Sequence, residues 1–185
     1  MQRFKQAQLE SSFRRFVPLG FALSSVFFFG YLIEQQHLRL EANDQLVQIA
    51  NDITLALAQG APYSTFTSPH PVDMSRSLSP YAIIFDGEQK MQTGSGVLDG
   101  VVPRPPKGVF EYVKLHREER VTWEPRRGVR VALVGVYHDG VNSGFVFAGH
   151  SLSEVERKID ELTKLTVFVW ATSLLSTFVL FVLFA

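Results

Sequence analysis

The chain has 185 residues, eighteen Lys and Arg against eighteen Asp and Glu, and no cysteine. A formal charge of zero gives no basic face for nucleic acid, and without thiols neither a disulfide framework nor a thiolate metal site forms. Much of the apolar content lies in two uncharged runs, one near each end.

The first run, residues 16–33 (FVPLGFALSSVFFFGYLI), holds eighteen residues, about enough for a helix to cross a ~30 Å hydrocarbon core. Glu34, Gln35, Gln36 and His37 follow it with no small-x-small cleavage site, so it reads as an uncleaved anchor rather than a signal peptide. Pro18 lies near its start, where a missing N–H costs least. Arg3, Lys5, Arg14 and Arg15 against Glu10 alone make residues 1–15 a cytoplasmic tail by the positive-inside rule. Residues 34–164 are then extracytoplasmic, with fourteen Lys and Arg against seventeen Asp and Glu. Arg157, Lys158 and Lys164 sit close to the second run on that outer side, but charges of so long a loop count little in the rule.

After the anchor, Leu38, Ala42, Leu46, Ile49, Ala50, Ile53 and Leu57 recur at three- and four-residue spacing and predict one helix continuous with the span. Gly60, Ala61 and Pro62 end it. Residues 62–80, rich in Ser, Thr and Pro, predict a surface loop. The sheet begins at YAIIF, where Asp86-Gly87 signals a hairpin and KMQT returns. Residues 94–100 carry three glycines and must bend; they do not fit GxGxxG with a following helix, so no phosphate cradle is expected. VFEYVKL and RVTWEP each alternate in the manner of a half-buried antiparallel strand.

The stretch 128–156 organises the rest. Val129, Val131, Leu133 and Tyr137 make one face of a strand and Ala132, Val134 and Val136 the other, so it should lie inside a sheet covered on both sides. Asp139-Gly140 and Asn142 turn the chain, and residues 145–148 pair back. Ser151-Leu152-Ser153-Glu154 and Ser153 to Glu156 are overlapping capping boxes. They start a helix in which Leu152, Val155, Ile159 and Leu162 keep a three-four spacing into the second run, residues 165–185. The expected fold is α+β: an antiparallel sheet of about five strands, core 81–150, after a long N-terminal helix and between two membrane helices.

TWEPRRGVRVALVGVYHDG and GFVFAGHSLSEVE resemble the end of the extracytoplasmic PAS-like (PDC/Cache-type) sensor domains of membrane histidine kinases and of related small two-span proteins. His150 stands where that pattern carries arginine. The resemblance implies a sensor region between two spans. The chain as read ends at Ala185 with no phosphoacceptor histidine or ATP-binding segment, so output is expected from a membrane partner or from a missing domain.

Candidates for chemistry are few. Ser151 and Ser153 are explained as caps rather than nucleophiles. The five histidines show no ligand spacing, so neither a catalytic residue, a metal nor a cofactor is expected. Arg130, in an otherwise apolar strand, either snorkels or pairs with an anion; with Tyr137, His150 and Trp123 it makes the candidate ligand set. Ser151, Leu152, Glu154, Val155, Ile159 and Leu162 make the candidate transmission helix. Gly20 with Ser24, and Ser173 with Thr177, are small-xxx-small pairs able to pack the spans together or join subunits as a homodimer. The expected function is a non-enzymatic membrane sensor passing ligand occupancy to a membrane partner, with an envelope scaffold lacking a small-molecule ligand as the alternative.

Overall fold

The computed structural model describes residues 2–184, without the side chains of residues 2–12, 39, 41 and 42. The side chains of Arg3, Lys5 and Glu10, which set the expected orientation, that of Ala42 in the predicted stripe, and Ala185 lie outside the described residues. The chain divides into two compact units, Met1–Leu38 with Arg157–Ala185, and Arg39–Glu156.

The first unit is an antiparallel pair drawn from helices α1 (Gln2–Ala58) and α3 (Ser153–Leu183). Both helices are long and apolar enough to cross a membrane. Their seam follows from residue size. Phe16 meets Phe178 and Phe181 edge-on, with centroids 5.4 and 6.4 Å away. Gly20 is buried, and a Cβ there would lie 3.7 Å from Leu174. Further along, Trp170 Nε1 donates to Ser24 Oγ (2.9 Å) while Ser24 donates to the Gly20 carbonyl (2.8 Å). Thr163 spends its hydroxyl proton on the Ile159 carbonyl at 2.7 Å, so Tyr31 Oη is the donor in their 2.9 Å contact. Hydrogen bonds of this kind contribute about 0.6 kcal/mol each between membrane helices. Gly20 and Ser24 therefore pack one helix of this pair on the other. Ser173 and Thr177 are half-buried, and Thr177 Oγ1 bonds back to the Ser173 carbonyl at 2.7 Å.

The second unit is α+β. In chain order it contains a 3-10 turn (Tyr63–Phe66), β1 (Val72–Asp73), β2 (Tyr81–Asp86), β3 (Met91–Gly94), β4 (Gly96–Val97), helix α2 (Lys107–His116), β5 (Glu118–Arg126), β6 (Val129–His138) and β7 (Gly144–Ser151). Five of the strands form an antiparallel sheet in the order β3-β2-β7-β6-β5, and β1 and β4 form a small parallel pair. The double-sided apolar strand 129–138 lies inside the sheet, next to the central β7, as its composition requires.

The two faces of β6 separate two cores. One gathers Tyr81, Ile83, Phe85, Val131, Leu133, Phe145 and Phe147 beneath Phe110 and Val113 of α2. The other gathers Ile84, Ala132, Val134, Val136, Val146 and Ala148 beneath Leu46, Ala50 and Leu57 of α1. The predicted stripe on α1 is thus the face that covers the sheet. Gly60, at φ +92°, ends α1 in a Schellman motif, with Gly60 N–H bonded to the Leu57 carbonyl and Ala61 N–H to Ala56 (both 3.0 Å).

Two expectations change. VFEYVKL is not a strand but most of α2. Its alternation is incidental: Phe110 and Val113 share a helical face and are fully buried, while Leu115, which completes the alternating set, is 77% exposed. Pro106 caps the helix start and Arg117, at φ +74°, its end. Residues 62–80 are not wholly loop either, since they hold the 3-10 turn and β1.

The sheet's edges are β3, four residues long, and β5, which carries Pro125 and an irregular register between Trp123 and Arg126.

Candidate functional site

The four candidate ligand residues do not converge. Strand alternation puts Trp123, opposite Val131, and Tyr137 on the α2 side of the sheet, where both pack against that core. Arg130, and His150 opposite Ala132, fall on the α1 side. A single pocket over the sheet holding Arg130 with Tyr137 is therefore excluded.

Each of the four has local work. Arg130 Nη1 bonds Glu156 Oε1 at 2.5 Å, and the Arg130 carbonyl accepts the Leu152 N–H at 2.9 Å. The strand is thus tied to the first turn of α3. Both side chains are about half exposed, so the ion pair contributes under ~1 kcal/mol and mainly sets geometry. His150 Nδ1 contacts the Ser151 carbonyl at 2.8 Å. Ser151 accepts the Ser153 N–H at 3.3 Å and donates to Ser153 Oγ at 3.0 Å, closing a tight turn at the entry to α3. The first helical bond runs from the Glu156 N–H to the Leu152 carbonyl, so Leu152, not Ser151 or Ser153, holds the N-cap position that the expected capping boxes give to serine. Of the other transmission residues, Leu152 packs against the α1-side core, and Val155, Ile159 and Leu162 are half-buried along the helix.

Tyr137 sits at the far end of β6. Its ring lies 4.8 Å from Phe145, with Lys114 Nζ at 5.9 Å and Arg117 Cζ at 5.4 Å. Burial and then Asp139, which accepts its hydroxyl proton, raise its pKa, and Arg117 partly offsets them. Arg117 also bonds Asp139 Oδ2 at 2.5 Å.

On the α2 side no space is left between the main rings. Phe110 meets Phe85, Phe145 and Phe147 edge-on at 4.9, 5.2 and 4.9 Å, and Arg104 lies 5.1 Å above Phe110. Space does occur beside β2, in an open groove of ≈ 310 Å³. Ile49, Ile53 and Phe66 supply apolar walls and Thr65, Ser68 and Ser95 hydroxyls. No charged side chain lines it, so it suits a small neutral amphiphile. Ser95 is engaged with β2, its Oγ accepting the Ala82 N–H at 2.9 Å. Among the described residues no three metal-ligating side chains come together.

His138, next to the Asp139-Gly140 turn signal, is not among the residues singled out by sequence. It is 7% exposed. Carrying the alternation of Ala132, Val134 and Val136 one step further places it on that inward face. Comparison with family models, curated proteins and solved structures finds no match for this chain.

Proposed function

We propose that the chain is a two-span membrane protein whose central α+β unit is an extracytoplasmic, PAS-like sensor module acting through α3 on a partner in the membrane. The observation that carries this reading is the tie between β6 and α3: the Arg130 carbonyl and guanidinium hold Leu152 and Glu156, and α3 then runs unbroken into its apolar half. A shift of the sheet would move the start of that helix, and packed helices pass on such shifts as discrete displacements. The five-stranded sheet preceded and followed by long helices is the layout of the sensor regions that the sequence resembles. The uncharged groove beside β2 is where a small neutral ligand would bias the equilibrium.

Orientation is tested with single cysteines, for which a chain without native cysteine is suited. In intact cells a membrane-impermeant maleimide should label Ser75→Cys, and label Arg14→Cys only after permeabilisation; the reverse pattern overturns the topology. Coupling is read from Trp170 after Trp123→Phe leaves it as the single tryptophan. Arg130→Ala should change its quenching by brominated lipids, and a Gly-Gly insertion after Lys164 should suppress that change. An unaltered Trp170 signal in Arg130→Ala rejects transmission.

A scaffold role is favoured by one observation, the ring-filled core beneath α2. Under that reading the outer surface of α2, with Tyr112 47% and Leu115 77% exposed, would meet another protein. Loss of partner binding in Leu115→Glu with the groove left intact separates the two readings.

A further inference from the structure

We infer that His138 is a proton-operated latch that holds the β6–β7 turn, residues 139–143, against the C-terminal end of α1. The turn is a node between helices. On one side Asp139 binds Arg117, the residue that ends α2. On the other, Gly140 lies so close to Ala58 that a Cβ at Gly140 would fall 2.6 Å from the Ala58 Cα, and Asn142 Nδ2 donates to the Ala61 carbonyl at 3.2 Å. Between these two attachments the His138 ring is buried on the α1 side of the sheet.

The hydrogen bonding assigns the tautomer. A backbone N–H can only donate, so in the 3.4 Å contact from Gly140 N–H the imidazole Nδ1 is the acceptor. The proton of the neutral ring is therefore on Nε2, which is buried and has no hydrogen-bond partner among the described residues. A second proton, taken from solvent, can go only to Nδ1. It removes the acceptor for Gly140 N–H and turns it into a donor facing a donor. It also places a charge on the face that gathers Leu57, Val136 and Val146. Both effects push Gly140 away from Ala58, so acid should free the turn from α1.

The groups around the ring do not cancel this: on β5, Glu118 and Arg120 face the same side opposite Val136 and Val134, but Glu118 is paired with Arg120 at 2.8 Å, which also reaches Asp44 of α1. Residues 53–61 of α1 and its cap carry no titratable side chain. From β2, Asp86 lies on the same face, but Gly144 of β7 separates the two, and its carboxylate already accepts from the Glu88 and Lys90 N–H groups and from Gln92. Tyr63 of the 3-10 turn is near enough to Asp86 for its hydroxyl pKa to be raised by burial and then by that carboxylate. Asp139 favours the charged imidazole, yet burial is the larger influence and holds His138 below its ordinary value; Asp139 is itself held by Arg117. The latch is then closed at neutral pH and opens on acidification.

The sensor reading enters only in what the opening is for, with the proton as stimulus. Hydrogen exchange on the full-length chain in lipid nanodiscs, corrected for intrinsic rates and compared at about pH 7.5 and about pH 5, reads the latch directly. Protection of residues 138–143 should fall on acidification, by up to about tenfold per pH unit through the titration, and stay constant in His138→Phe. A wild-type turn whose protection does not fall, or a His138→Phe protein showing the same fall, overturns the proposal. If His138→Phe does not fold, selectively labelled wild-type protein serves. The His138 ring and the Gly140 amide should titrate with one midpoint, and a ring that stays neutral at about pH 5 or a Gly140 amide that ignores its titration rejects the latch. Opening of the turn without any change in Trp170 quenching would leave the latch standing and sink the sensor reading.

Discussion

Tyr81 shows how a single side chain is constrained by the backbone around it. Its ring lies on two glycines: a Cβ at Gly96 would come within 2.4 Å of the ring and one at Gly149 within 2.6 Å of the hydroxyl. The hydroxyl is buried and has no hydrogen-bond partner among the described residues, a state that costs about 1–3 kcal/mol. Tyr81→Phe should therefore shift the urea unfolding of the second unit to higher denaturant, a gain of about 1 kcal/mol or more in unfolding free energy. Burial also raises the phenol pKa above its ordinary value of 10.0. Because the folded chain holds that proton more tightly than the unfolded one, the contribution is complete below about pH 10 and is lost as pH rises further. Alkaline unfolding that is less steep in Tyr81→Phe than in the wild type would bear this out, and identical curves would refute it. None of this was legible from YAIIF, since the crossing glycines come from distant strands. His138 was legible, one step beyond Val136 in its alternation, but the adjoining Asp139-Gly140 turn signal masked it.

Among the elements, α2 is the instructive case. In VFEYVKL the apolar residues satisfy period two and period 3.6 together, and local pattern alone does not arbitrate between them. What selects the helix is tertiary: Phe110 fits among Phe85, Phe145 and Phe147, a contact invisible in the segment itself. Phe110→Ala should accordingly cost about 3–5 kcal/mol, read by chemical denaturation with far-ultraviolet circular dichroism, whereas Leu115→Ala should be nearly silent. Equal effects would mean that α2 does not cover the sheet. By contrast β6, β7 and the α1 stripe were readable because their burial is expressed in strict local periodicity: Leu46, Ala50 and Leu57 line one helical face, and β6 is apolar on both sides. The ligand candidates fared less well for a related reason. Alternation told which face Arg130 and Tyr137 occupy, and since they differ by an odd number of positions it already set them on opposite sides.

For the whole molecule, the ends of the sheet matter as much as its centre. An open strand edge is a template for runaway pairing with other copies of a chain. Both edges here resist it. β3 has only four residues, and β5 combines Pro125, a register break and alternating charges at Glu118, Arg120 and Glu124. Replacing Glu124 and Pro125 together by valine should leave the fold intact yet produce thioflavin-positive, light-scattering aggregates during refolding; clear solutions would show that the edge is guarded by something else. Besides their folded-state bonds, Glu124 to the Gly128 N–H and Arg120 to Asp44 and Glu118, the charges on β5 together with Pro125 would act while the chain is still unfolded and crowded, when an unguarded strand is open to amyloid-like assembly.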